Sequence, residues 1–104
     1  LPLDARQLGR VAQRISVGLA RMGSYVGHGS GEVFLAFSTA NPFQAQAENA
    51  VRPVSAFHEE KLDGPFRAAA ECAEEAVLNS LLTARTVVGW QGHKAVALTD
   101  LWRP

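Results

Sequence analysis

A serine and a glutamate two positions apart are the residues of this sequence best suited to chemistry. Ser30 and Glu32 flank Gly31, where a glycine-rich loop gives way to an apolar segment. Residues two apart in an extended backbone project to the same face, so these side chains are expected to project together. A serine hydroxyl donates to a carboxylate while accepting from a third group, so the pair would orient a nucleophile beside an amine. A glycine turn with a solvated glutamate is the alternative interpretation.

The glycine-rich loop, residues 23–31, holds four of the nine glycines but fits none of three familiar glycine-rich sites. A phosphate-binding loop follows a strand and contains a lysine, whereas this loop follows a predicted helix and has no lysine. No helix comes after it to receive a dinucleotide pyrophosphate. His28 and Glu32 stand where a GxSxG nucleophile motif around Ser30 needs glycine. No cofactor is therefore predicted.

The rest of the chain offers Ser30 no base partner and no clear metal site. Nothing in the sequence places His93 near Ser30. Residues 58–63 hold one histidine and three acidic residues, but their spacing matches no metal-ligand pattern and favours an exposed, solvated segment. We therefore predict no metal site.

The first element is expected to be an amphipathic helix over residues 4–22. Asp4 suits its N-cap, and Gly23 stands where a helix C-terminus favours a left-handed residue. Gly18 borders the apolar stripe and would let another backbone approach closely, as in a helix packed on a sheet. Arginines on the opposite face are interpreted as a solvated surface, with a basic groove-binding surface as the alternative: Arg6, Arg10, Arg14 and Arg21.

Residues 32–39 are predicted to form a strand buried on both faces, because their apolar residues run without alternation. The following stretch, residues 43–62, is irregular or an edge strand, since Pro53 interrupts it. A second helix is expected over residues 65–84, with Asp63 as its cap. Its many alanines predict close approach of a neighbouring element.

Composition excludes several classes of function. The 104 residues support one domain or a portion of one, and lysine plus arginine balances aspartate plus glutamate at ten each. This neutrality favours neither nucleic acid nor an anionic membrane as a partner. The single cysteine, Cys72, cannot form an internal disulfide, and it is interpreted as a small packing residue in the second helix.

Two runs around the Ser-Gly-Glu motif resemble the β-aminopeptidases, the family that includes the L-aminopeptidase/D-esterases. They are GLARMGSY (residues 18–25) and GSGEVFLAFSTAN (residues 29–41), and EEAVLNSL (residues 74–81) adds to the likeness. The resemblance covers nearly the whole chain. It implies an α/β fold, a four-layer α/β/β/α sandwich similar to that of ornithine acetyltransferase, with this chain supplying part of the sheets and two main helices.

The resemblance also implies a role for the chain. Members of the family cleave themselves into two chains, and a serine at the new N-terminus of the smaller chain becomes the nucleophile. Residues 1–104 are expected to be a portion of that smaller subunit, partnered by the larger subunit from the same precursor and assembled into a further oligomer. The expected reaction is hydrolysis of N-terminal residues from short peptides, amides or esters through an acyl-enzyme. A cytoplasmic location is expected, with the periplasm as the alternative.

The chain departs from the family pattern at its beginning. A first strand of about 5–10 residues, carrying the nucleophilic serine, is expected before Leu1 and is missing. Ser30 and Glu32 then map onto the family residues that support that nucleophile. An ornithine acetyltransferase-like acyltransferase and a non-catalytic degenerate homologue are the alternative functions.

Overall fold

The computed structural model describes residues 1–46 and 49–102. Its elements, in chain order, are α1 (Ala5–Gln13), α2 (Ile15–Arg21), a 3-10 turn (Glu59–Lys61), α3 (Asp63–Thr83), β1 (Val87–Val88), a second 3-10 turn (Trp90–Gly92), β2 (Lys94–Ala95) and α4 (Leu98–Leu101). The strands β1 and β2 form a small antiparallel sheet. None of the helices in the described ranges combines the length and the apolar character that a bilayer crossing needs.

The predicted first helix is divided into α1 and α2. Asp4 is the N-cap as expected, and it shares a capping box with Gln7. The prediction of one continuous helix was wrong at Arg14, where the guanidinium donates to the carbonyl of Arg10 at 3.1 Å. That carbonyl is the normal acceptor for the backbone N–H of Arg14, which bonds to the Val11 carbonyl instead. The side chain thus enters the helical hydrogen-bond ladder, and the helix breaks there.

Helix α2 lies directly against α3, and Gly18 is the point of closest approach. A Cβ atom built on Gly18 would lie 2.2 Å from the backbone oxygen of Ala70 and 2.8 Å from Cβ of Ala73. The expectation of close packing at Gly18 is therefore confirmed, but its partner is a helix and not a sheet. Small residues on both helices allow this contact.

Helix α3 begins two residues before its expected start and ends one residue before its expected end. Asp63 lies in the first turn and does not cap the helix, because Leu62 precedes it and no side chain caps this end. Cys72 is exposed, so the packing role expected for it is absent here. Leu62 is nearly inaccessible, at 2% exposure, and anchors the start of α3 in the small core.

Residues 40–46 and 49–58, which form no helix or strand, are tied to the helices by side-chain hydrogen bonds. The part of the predicted irregular stretch at residues 47–48 lies outside the described residues. The buried amide of Gln7 donates to the carbonyl of Phe57 at 3.0 Å and to Glu59 Oε2 at 3.1 Å. Asn41 bridges the segment internally, since its amide donates to the Ser55 carbonyl and accepts from the Ser55 N–H, both at 2.9 Å. Asn41 therefore imitates one rung of a β-ladder across the base of this loop.

Three of the four arginines between residues 6 and 21 pair with acidic side chains. Arg6 and Arg10 both pair with the carboxylate of Glu59, and Arg21 pairs with Glu74 at 3.1 Å. Arg14 lies over the ring of Phe66, 4.1 Å from its centroid. Arg6 and Arg21 are exposed, as the solvated-surface prediction expects, and these side chains also fasten α1 and α2 to the second half of the chain.

Candidate active site

The glycine-rich loop starts from a rigid helix end. Gly23 has a φ of +95°, and its N–H donates to the Ala20 carbonyl at 3.0 Å. The N–H of Ser24 donates to the Leu19 carbonyl at 3.1 Å. These two bonds and the left-handed glycine form a Schellman motif, which satisfies the last carbonyls of α2. The backbone of Ser24 is thus fixed relative to the helix.

The carboxylate of Glu32 contacts this helix end through Ser24. Ser24 Oγ lies 3.3 Å from Glu32 Oε1 and donates to it, while the N–H of Val26 donates to Ser24 Oγ at 3.4 Å. Glu32 is half-buried. Sequence reasoning missed Ser24, although a serine directly after a helix-terminating glycine was a visible signal.

Ser30 lies two residues before Glu32 and is exposed. Its N–H donates to the Gly27 carbonyl at 2.9 Å, which closes a tight turn through His28 and Gly29. Within the described residues its hydroxyl makes no hydrogen bond, so the Ser30 side chain faces solvent. The structure therefore brings Glu32 to Ser24 and leaves Ser30 open at the rim of the loop.

Val26 is held in the left-handed region at a φ of 52°. A β-branched residue is strained there, and such strain persists only where surrounding contacts impose it. The loop around it, residues 23–30, lines a cavity of about 350 Å³. The backbone is thus held in an unfavourable shape beside Glu32.

Residues 32–39 form no hydrogen-bonded strand, although a strand was predicted there. Burial nevertheless alternates with a period of two, because Glu32, Phe34, Ala36 and Ser38 are half-buried and the residues between them are exposed. That period belongs to an extended backbone. Val33, Leu35 and Phe37 are 97%, 84% and 77% exposed, so the predicted burial of both faces is not met within this chain. The alternation leaves one apolar row uncovered.

Glu59, in the acidic stretch of residues 58–63, anchors helix α1. Glu59 accepts from Arg6, Arg10 and Gln7, and the hydrogen bond from Arg6 contributes most to lowering its pKa to about 2. No group of three or more potential metal ligands occurs in residues 1–46 and 49–102. The expectation of an exposed segment holds for Glu59 and Glu60.

Two solved structures share this fold. The PH0078 protein from Pyrococcus horikoshii OT3 superposes with a TM-score of 0.86 at 46% identity, over 96% of this chain and 29% of that one. A β-aminopeptidase from Burkholderia sp. superposes with a TM-score of 0.81 at 34% identity, over 99% of this chain and 33% of that one. The mixed α/β character of the chain is therefore that of the β-aminopeptidase fold.

Sequence comparison gives the same relationship. The chain is 39% identical over 92 residues to the β-peptidyl aminopeptidase BapA of Sphingosinicella microcystinivorans, and 32% identical over 98 residues to that of Sphingosinicella xenopeptidilytica. These matches cover 88% and 93% of the chain. They span only 23% and 24% of the relatives' lengths. The model of peptidase family S58 matches residues 1–95, so the chain belongs to peptidase family S58.

Proposed function

We propose that residues 1–104 are a portion of the small subunit of a self-processed aminopeptidase. The enzyme removes N-terminal residues, including β-amino acids, from short peptides, amides or esters. One observation carries this proposal: Glu32 is half-buried at the start of an extended segment whose apolar row is exposed, and Ser30, two residues earlier, is exposed. The family and the relatives named β-peptidyl aminopeptidase supply the class of reaction.

The dimensions of the chain support a partner. A compact domain of this length has a radius of gyration of about 13 Å, whereas this chain has 19.6 Å. The apolar row Val33, Leu35 and Phe37 would be covered by strands from the larger subunit of the same precursor. In this proposal the two subunits together form the four-layer α/β/β/α sandwich, and such units associate further.

The proposed chemistry uses an N-terminal serine outside residues 1–104. Its hydroxyl attacks the substrate carbonyl, and its free α-amino group takes up the hydroxyl proton. An α-amino group titrates near 7.7–8.0, so it acts as a base close to neutral pH. The proton passes to the leaving amine as the C–N bond breaks, and water then hydrolyses the acyl-enzyme ester. Ser30 and Glu32 orient the hydroxyl and the amine of that serine.

The test is turnover of β-alanyl and L-alanyl p-nitroanilides by the complete enzyme. Glu32→Gln is expected to lower kcat about 100-fold, because a preorganised carboxylate is lost from the site. Ser30→Ala is expected to lower kcat about tenfold, as for one lost hydrogen bond to a charged group. Matched exposed variants on α3, Glu75→Gln and Ser80→Ala, should leave kcat unchanged. Normal turnover by both site variants would refute the assignment.

Two further measurements separate the alternatives. Mass spectrometry of the processed enzyme should show a subunit that begins with serine. Turnover of acetylornithine with no release of p-nitroaniline would favour an acyltransferase. An unprocessed chain inactive on every substrate would favour a degenerate homologue.

A further inference from the structure

We propose that Ser24 is a positioning residue that holds the Glu32 carboxylate for catalysis. The inference rests on the proposed function, because it assigns a task to the residue that orients Glu32. Ser24 acts through Glu32 and need not touch the substrate.

The backbone of Ser24 has little freedom. Its N–H closes the Schellman motif of α2 on the Leu19 carbonyl, and Gly23 supplies the left-handed residue that this motif needs. Helix α2 is itself held against α3 at Gly18, where backbone approaches backbone too closely to admit a methyl group. A side chain on Ser24 is therefore presented from a rigid framework.

The hydrogen-bond directions at Ser24 follow from chemistry. The N–H of Val26 can only donate, so Ser24 Oγ accepts from it at 3.4 Å. A hydroxyl has one proton, and that proton is directed to Glu32 Oε1 at 3.3 Å. The bond from Val26 thus orients the hydroxyl toward the carboxylate.

The two carboxylate oxygens of Glu32 have different roles in this arrangement. Oε1 is held by Ser24, while Oε2 accepts no hydrogen bond from the described residues and is available to the nucleophile. Without Ser24 the carboxylate would rotate among several orientations, and fewer of them would be productive. The strain at Val26 is consistent with this assignment, because its N–H is the group that orients Ser24 Oγ.

The experiment is a double-mutant cycle in the complete enzyme with β-alanyl p-nitroanilide. Ser24→Ala is expected to lower kcat about tenfold with KM unchanged, since one hydrogen bond to a charged group is lost. Ser24→Thr, which keeps a hydroxyl on the same carbon, should restore most of that loss. In a Glu32→Gln background, Ser24→Ala should have little further effect, because its partner is already altered.

The outcomes are distinguishable. If Glu32→Gln lowers kcat while Ser24→Ala does not, this inference fails and the proposed function stands. If Glu32→Gln itself has no effect, the proposed role of Glu32 fails first. Additive effects of the two changes, or no rescue by threonine, would make Ser24 a merely structural residue and overturn the inference. If Ser24→Ala does not fold, as judged by thermal unfolding, Ser24→Cys provides the same cycle with a weaker donor.

Discussion

The α2–α3 pair and the extended segment of residues 32–39 are stabilised in opposite ways. The helices satisfy their backbone groups internally and pack at Gly18 to the limit that backbone atoms allow. The extended segment has no paired ladder and exposes an apolar row. A helix is complete within its own sequence, whereas a strand is complete only beside another strand. The chain thus contains a tightly packed helix pair and an extended segment that pairs with no strand of the described residues.

The largest effect is expected from a charge on the exposed apolar row of the extended segment, residues 32–39. Leu35→Asp would place a carboxylate on the surface that the larger subunit covers in the proposed function, and an unpaired buried charge is strongly destabilising. We expect the complete enzyme to lose soluble, processed protein, measured by size-exclusion chromatography. The apolar, β-branched Leu35→Ile is the matched control and should assemble normally. Normal assembly of the aspartate variant would show that this face stays exposed.

A smaller effect is expected from adding a methyl group at the contact between α2 and α3. Gly18→Ala should destabilise the enzyme by about 1–3 kcal/mol, because its methyl group would force α2 away from the Ala70 carbonyl. Gly9→Ala is the control, since a Cβ there has nothing within 4 Å and alanine favours a helix by about 1 kcal/mol. The two changes should move Tm in opposite directions. An equal rise in Tm for both would mean that α2 and α3 lie further apart.

The smallest effect is expected outside both regions, at the exposed Glu59 that pairs with α1. The hydrogen bond from Arg6, followed by that from Gln7, lowers the pKa of Glu59 from 4.5 to about 2. The stabilisation from Glu59 is therefore present above pH 4.5 and is lost as the pH falls toward 2. Glu59→Gln should lower Tm slightly at pH 7, and the difference from the wild type should disappear near pH 2. The neighbouring exposed residue supplies the control, Glu60→Gln. A Tm difference independent of pH would exclude the ion pairs as its source.

Local signals predicted the helices well, and the exceptions have identifiable causes. Asp4, Gly23 and Pro65 act within one helical turn, so their positions are informative without knowledge of the rest of the fold. At the break, the Arg14 guanidinium donates to the Arg10 carbonyl and also lies over Phe66, 52 residues further along, and no local pattern contains that second contact.

The candidate site was harder to predict for the same reason. The Ser30–Glu32 spacing assumes an extended backbone at Ser30, which is also the last residue of the turn that begins at Gly27. The partner of Glu32 comes from eight residues earlier, across a loop that contains a strained valine. The conformation of residues 23–31 is set by hydrogen bonds within the loop, and the preferences of single residues do not predict it.

Because of the Asn41–Ser55 bridge, the positions of α1 and α3 do not depend on the length of the loop between these two residues. Both ends of that loop are held by one amide, with two hydrogen bonds of 2.9 Å. Doubling the length of a flexible loop adds only about 0.6 kcal/mol of closure free energy, so residues can be inserted between these ends without moving α1 or α3. The bridge thus makes the span between Asn41 and Ser55 a suitable site for engineered insertions, because α1 and α3 are held from outside it.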